Sequence, residues 1–235
     1  MLLEALSGFD LTRGEGIQTC VPLALQLREA AESEEDEHGF IRIESSDVDP
    51  ERIGLDEIGN KVREYTAIAA GEGKNMCDQP IELKIYRQDQ DDLTLVDLPG
   101  ITRVALSDQA GGDGKKLEAL ILGMCIRYME PEQSILLNVV STMVNFSTSA
   151  SLQLSQELDP DGDRTMLCVT KVDQHKEDGL NRNIDKAMEM MKLNPKHVFA
   201  VRNRSQLEND NKLPMRKYLS SRGLPRGAII ILVWE

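Results

Sequence analysis

The chain has 235 residues, with 27 Lys and Arg against 40 Asp and Glu, for a formal net charge of −13. That negative surplus leaves no basic face for neutralising a phosphate backbone, so a nucleic-acid partner is disfavoured. At 40% hydrophobic residues, the length suits one medium α/β domain that buries roughly three quarters of its unfolded surface.

The four cysteines, Cys20, Cys77, Cys125 and Cys168, are far apart and never form C-x-x-C. A structural zinc or a disulfide framework therefore has little support, and they read as reduced thiols of a cytoplasmic protein. The N-terminus lacks a basic segment ahead of a long apolar core, and AIIILVW, Ala228 to Trp234, is too short to span a bilayer. These features point to a soluble chain.

Taken in order, Thr19 to Leu27 alternates apolar and polar positions as a strand does, and the acidic block from Glu32 to Gly39 then reads as a solvated loop. Asp49-Pro50 offers an N-cap with Pro at the first helical position, followed by Ile53, Ile58, Val62, Tyr65 and Ile68 at helical spacing, which predicts a helix. IELKIY (Ile81 to Tyr86) and LTLVD (Leu93 to Asp97), joined by a polar turn, read as a β-hairpin. Then come a helix from Lys115 to Met129, a buried strand from Ser134 to Val140 and a helix from about Ser147 to Leu158. A strand from Thr165 to Thr170, a helix from about Asn181 to Lys192 and a strand from His197 to Val201 complete the series. Alternation of this kind predicts a mostly parallel sheet with helices on both faces. No internal repeat or low-complexity linker suggests a second complete domain.

In an open parallel sheet, functional groups collect at the carboxyl ends of strands. Asp97-Leu98-Pro99-Gly100 is a D-x-x-G pattern: its Asp can hold Mg²⁺ through water, and its unhindered Gly amide can approach a γ-phosphate. Alone the pattern is short, and a Pro-Gly turn ending a strand would explain it equally well. Thr170-Lys171-Val172-Asp173 follows a second apolar strand. There an Asp carboxylate can accept both the ring N–H and the exocyclic amine of guanine, which adenine does not offer, while the Lys stem covers the ring. The order of the two motifs and their gap of roughly seventy residues favour a GTP site over coincidence.

Four segments resemble the markers of the dynamin family GTPase domain: LTRGEGIQT (Leu11 to Thr19), LTLVDLPGITRV (Leu93 to Val104), DPDGDRT (Asp159 to Thr165) and NRSQ (Asn203 to Gln206). The similarity is to the plant dynamin-like, Mx-related branch. It runs from Leu3 to about Gln206 within a partial G domain spanning 1–235, with a divergent tail over 219–235. The resemblance implies a P-loop NTPase-like fold that binds GTP with Mg and hydrolyses it to GDP and phosphate. Thr19 would then be the switch I threonine that ligates Mg²⁺ and positions water, and Asp97 with Gly100 would form switch II. Gly14 and Gly16 would lie beside a monovalent cation, Na or K, that offsets transition-state charge. Thr170, Lys171 and Asp173 would select guanine, with Asn203 and Arg204 flanking the base, and Arg103 would act where two G domains meet. Gly14 and Gly16 as turn glycines, and Arg103 as a solvated charge, are the plainer alternatives. By family analogy the partners are a second G domain in a homodimer, intact dynamin relatives, and a membrane or microtubule. A full-length form would sit in the cytoplasm or peripherally on a membrane.

The phosphate loop G-x-x-x-x-G-K-[ST] does not occur in the sequence. Leu2 to Gly8 resembles the helix that follows that loop, so the expected fold lacks its first strand and phosphate loop, and the neighbours of that central strand should expose unpaired edges. Further departures are Cys20 after the switch I Thr, Asn145 at a usually acidic position, the interrupted run from Asp108 to Ala119, and the tail SSRGLPRGAIIILVWE. Three readings follow: a GTPase domain impaired in this form, a pseudo-GTPase or interaction module without catalysis, and a gene fragment without function.

Overall fold

The computed structural model describes residues 2–9, 11, 21–31, 37–71, 76–101, 114–143, 146, 149–172, 177–194, 197–201 and 228–234. In chain order the elements are α1 (Leu2–Ser7), β1 (Leu23–Glu29), β2 (His38–Ile43), β3 (Glu51–Ile53), α2 (Ile58–Ala70), β4 (Ile81–Arg87) and β5 (Leu93–Asp97). They continue with α3 (Gly114–Met129), β6 (Ser134–Ser141), α4 (Ala150–Leu158), β7 (Thr165–Thr170), α5 (Glu177–Met190), β8 (Val198–Val201) and β9 (Ala228–Trp234). The strands form a single nine-stranded sheet in the order β3-β2-β4-β1-β5-β9-β6-β7-β8.

From β5 to β8 every pairing is parallel, so β5, β9, β6, β7 and β8 end at one edge. β1 runs antiparallel to β5 and parallel to β4, and β2 is antiparallel to both β4 and β3. Parallel strands buried on both faces need near-continuous apolar sequence. β6 supplies it: six of its eight residues are buried. Its one polar interior residue, Asn138, is satisfied by an exchange of hydrogen bonds with Ser155 of α4, at 2.9 and 3.1 Å.

Helices cover both faces, as the alternation predicted. Leu2 and Leu3 of α1 and Ile58 and Val62 of α2 share one apolar layer with Leu25, Leu83, Leu95, Ile230 and Leu232. On the opposite face, Met124 and Cys125 of α3 and Leu154 of α4 pack with Val96, Leu136 and Ile231, while Ala187 of α5 joins Val140, Leu167 and Val169.

Four expectations are corrected. Ile81 to Tyr86 and Leu93 to Asp97 do not form a hairpin, because β1 lies between them and pairs with both. The apolar positions Leu23, Leu25 and Leu27 make β1 a better interior strand than a polar-turn hairpin would allow. Asp49-Pro50 does not open a helix. It precedes the edge strand β3, where Ile53 is buried opposite Gly39, and α2 begins only at Ile58. Glu51 on β3 instead ties the strand to α2, accepting Lys61 Nζ at 2.8 Å and Tyr65 OH at 3.0 Å. The acidic block also ends earlier than its sequence suggested, since His38 and Gly39 already belong to β2.

The fourth correction concerns the tail. β9 enters between β5 and β6, parallel to both, so the edges expected to stand open in mid-sheet are paired. Ile230, Ile231 and Leu232 are at most 3% exposed and alternate between the two faces.

The DPDGDRT run proves to be a joint at the amino end of β7. Asp159, buried, accepts from Thr165 Oγ1 at 2.5 Å and from the Arg164 amide at 3.1 Å. The Arg164 guanidinium donates to the carbonyls of Met129, Ser134 and Leu158 at 2.8, 3.0 and 3.0 Å, binding the ends of α3 and α4 to the start of β6. Gly162 takes φ +70° with Met191 O only 2.6 Å from where a Cβ would stand, so glycine is required there.

Replacement of Arg164 by Ala therefore leaves several carbonyls short of a donor and is expected to cost about 2–3 kcal/mol in urea unfolding; a change within the error of the midpoint would contradict the joint. Burial also pushes the thiols of Cys125 and Cys168 up to about 12. Because alkylation needs the thiolate, iodoacetamide at pH 8 should label half-buried Cys77 well before either, as read by peptide mass spectrometry.

Candidate functional site at the carboxyl edge of the sheet

Strand order reverses at β5-β9-β6: the chain builds β1 to β5 on one side of this point and β6 to β8 on the other. In open α/β sheets the crevice outside the carboxyl ends at such a point is where ligands bind. Both sequence motifs end strands at this edge.

Asp97 is the last residue of β5 and only 4% exposed. The following Leu98 donates its amide to Leu232 O of β9 at 3.3 Å, extending the pairing with β9 one residue past the strand, ahead of Pro99 and Gly100. A buried carboxylate supplies a hard oxygen of the kind that suits Mg²⁺, which is commonly held by one or two carboxylates together with phosphate oxygens. Asp97 fits that role. Among the described residues there is no cluster of three or more His, Cys, Asp or Glu.

Thr170 closes β7 and is buried. The next residue, Lys171, has φ +58°, a left-handed conformation that a side chain with a Cβ adopts only when its surroundings impose it. What imposes it is the end of β6. Thr142 donates its amide to Thr170 O at 3.0 Å and its Oγ1 hydroxyl to Lys171 O at 2.9 Å, while Thr170 Oγ1 donates to Val140 O at 3.5 Å. The exposed Lys171 side chain is thus carried on a backbone fixed at both of its first carbonyls.

Thr142 was missed in the sequence, where it reads as one more polar residue after a strand. The only signal that could have found it is its place at the carboxyl end of the strand adjacent to T-K-x-D.

Asp97 and Thr170 are three strands apart across β9 and β6, a separation of about 14 Å at the usual strand spacing. Gly100 also lies within the described residues. Thr19, Gly14, Gly16, Asp173, Asn203 and Arg204 lie outside them, as do Cys20, Arg103 and Asn145.

No helix among the described residues is long and apolar enough to cross a membrane.

Comparison with known proteins agrees with the motifs. The dynamin family model matches residues 2–172. Dynamin-related protein 4C of Arabidopsis thaliana is 39% identical over 174 residues, covering 73% of this chain and 24% of that protein. An interferon-induced GTP-binding protein Mx of Epinephelus coioides is 36% identical over 223 residues, covering 94% of this chain and 34% of that one. A chain from an oligomerised bacterial dynamin pair matches at a TM-score of 0.46 and 13% identity, over 94% of this chain and 32% of its own length. The chain thus spans roughly a quarter to a third of these relatives. With a family match over residues 2–172 and both strand-end motifs at one sheet edge, the chain belongs to the dynamin family.

Proposed function

We propose that this chain is the guanine-nucleotide domain of a dynamin-type GTPase, in which Asp97 serves the Mg²⁺ and phosphate end of GTP and Thr170, Lys171 and Asp173 serve its base. The observation that carries this reading is the shared edge: the strands bearing D-x-x-G and T-K-x-D run parallel and stop at the same side of the sheet. Their separation is on the scale of an extended nucleoside triphosphate.

Asp97, at the end of β5, would supply an oxygen to Mg²⁺, which when bound would offset charge developing on the phosphates. Gly100 presents an amide unhindered by a side chain to the γ-phosphate. Thr142 and the end of β6 fix the backbone from which Lys171 lies over the base and Asp173 accepts its N–H groups. By resemblance to the family, Thr19 would complete the Mg²⁺ ligands and orient the attacking water, Gly14 and Gly16 would serve a monovalent cation, Na or K, and Asn203 and Arg204 would flank the base. Pairing of two such domains across their nucleotides, with Arg103 at the contact, is the partner chemistry this reading favours. Membrane association enters this reading only by analogy with the family.

Residues 1–235 by themselves hold GTP weakly, because the sequence contains no G-x-x-x-x-G-K-[ST] to cradle the α- and β-phosphates. A second reading, an interaction module that keeps the base-reading loop without turnover, draws on that same sequence feature.

Titration with a fluorescent GTP analogue and Mg²⁺ should give a Kd on the order of 0.1–1 mM, with the ATP analogue weaker still. Nanomolar, Mg²⁺-dependent GTP binding with turnover would overturn the impaired reading, and equal binding of the two analogues would overturn the guanine reading. Lys171→Gly separates stability from function at one position. Relief of the left-handed backbone should raise stability by a few tenths to about 1 kcal/mol, while loss of the stem weakens GTP binding further. A destabilised Lys171→Gly would show that the side chain, not the backbone, dominates there.

A further inference from the structure

β6 and β7 pair in parallel, and their last matched residues are Ser141 and Thr170. Thr142 continues the ladder by one bond, its amide donating to Thr170 O at 3.0 Å. In a regular strand the next carbonyl, that of Lys171, would turn to the opposite neighbour, because successive carbonyls of a strand alternate sides. It does not. With φ at +58° Lys171 has left strand geometry, and its carbonyl is received on the same side by the Thr142 Oγ1 hydroxyl at 2.9 Å.

A single residue at the end of β6 thus holds two consecutive carbonyls of the neighbouring chain, and the two bonds differ in kind. The amide bond belongs to the backbone and survives any substitution but proline, whereas the hydroxyl bond requires Ser or Thr at this position. Thr142 is buried, so water has little access to its hydroxyl. Just beyond, Val172 packs against the cluster that contains Val140, Leu152 and Leu167, which leaves Lys171 exposed between two anchored neighbours. Because a residue with a Cβ disfavours the left-handed region, the conformation of Lys171 has to be held from outside, and the hydroxyl is placed to hold it.

We propose that Thr142 is a positioning residue for base selectivity: through the Lys171 carbonyl its hydroxyl holds the left-handed turn from which Lys171 and, two residues on, Asp173 start, and it thereby carries the preference for guanine over adenine without touching the nucleotide. A carboxylate reads guanine only if it lies within hydrogen-bonding distance of two N–H groups at once. A relaxed turn therefore costs selectivity before it costs the contacts that GTP and ATP share. The hold on Lys171 stands on the hydrogen bonds alone, and the selectivity half rests on the guanine reading above.

Thr142→Val keeps the branched shape and the backbone bond and removes only the hydroxyl; Thr142→Ser keeps the hydroxyl. Both are compared with the parent as full chains by two measurements. The first is trypsin cleavage of the native protein between Lys171 and Val172, followed by mass spectrometry and referred to cleavage at the other Lys and Arg positions. The carbonyl that trypsin attacks is the one that Thr142 binds, so cleavage there follows the population in which this bond is open. Thr142→Val should be cut at this bond about fivefold faster than the parent, with Thr142→Ser at the parent's rate. The second measurement is the ratio of the Kd values for fluorescent ATP and GTP analogues with Mg²⁺, which should fall about threefold or more toward unity in Thr142→Val and recover in Thr142→Ser. A residue that merely stabilised the sheet would shift both affinities together. Equal cleavage at Lys171 in all three proteins, or faster cleavage of Thr142→Val at every Lys and Arg alike, overturns the hold on Lys171. Faster cleavage at Lys171 with an unchanged Kd ratio overturns the step from the turn to selectivity. A parent that binds both analogues equally overturns the guanine reading and the selectivity half with it, while the cleavage comparison still decides the hold.

Discussion

The sheet of this protein depends on one strand. β1 to β5 form a ladder of five strands and β6 to β8 a ladder of three, and among the described residues only β9 hydrogen-bonds to both. Backbone groups along β5 and β6 cannot be left dry and unpaired without a cost comparable to a lost hydrogen bond at each, so the two halves cannot simply face each other across a gap. AIIILVW meets the need because it lacks charge, is rich in β-branched side chains and buries on both faces. Its distance in sequence matters little: doubling a connection adds only about 0.6 kcal/mol of closure entropy, whereas burying one Ile contributes about 1.5–3 kcal/mol.

That dependence explains why the carboxyl edge is assembled at all. Asp97 belongs to one ladder and Thr170 to the other, and their mutual position is only as fixed as β9 makes it. Within the second ladder the end of β7 at Thr170 and Lys171 is secured locally. Thr142 binds the carbonyls of both Thr170 and Lys171, and the Arg164 joint at the opposite end holds β6, α3 and α4 together. A strained backbone at Lys171 persists because these fixed points surround it, which is how a fold holds an unfavourable conformation in place.

Much of this could be read from residues alone. Long apolar strands such as SILLNVV and TMLCVT, and the helices following them, are found where their patterns place them, because burial on both faces leaves few alternatives to an interior parallel strand. The two strand-end motifs were legible for the same reason: each is local, and its position at the end of a strand follows from the strand. What failed was partnership. Nothing in IELKIY states that LALQLRE, more than fifty residues earlier, will intervene between it and LTLVD, and strand pairing is decided by such long-range competition more than by the nearest turn. Asp49-Pro50 misled because a cap is informative only if the segment after it is free to coil. Glu51 to Ile53 was instead claimed by β2, and the Glu51 contacts to Lys61 and Tyr65 hold it there.

The tail is the instructive case. By sequence it is one of the departures from the family's markers, and the absent phosphate loop predicts open strand edges in mid-sheet. That expectation treats sequence order as spatial order. A sheet accepts any segment that satisfies direction, register and burial, whatever its position in the chain, and β9 satisfies all three. The same tolerance limits what β9 can do chemically. It restores the hydrogen-bond ladder next to Asp97 but contributes apolar residues where a nucleotide's phosphates need a nest of backbone amides and a lysine. Stability and phosphate binding, which one strand–loop unit supplies together, are therefore separated here: the sheet has its central strand, and the sequence of that strand contains none of the groups that would make the edge a phosphate site.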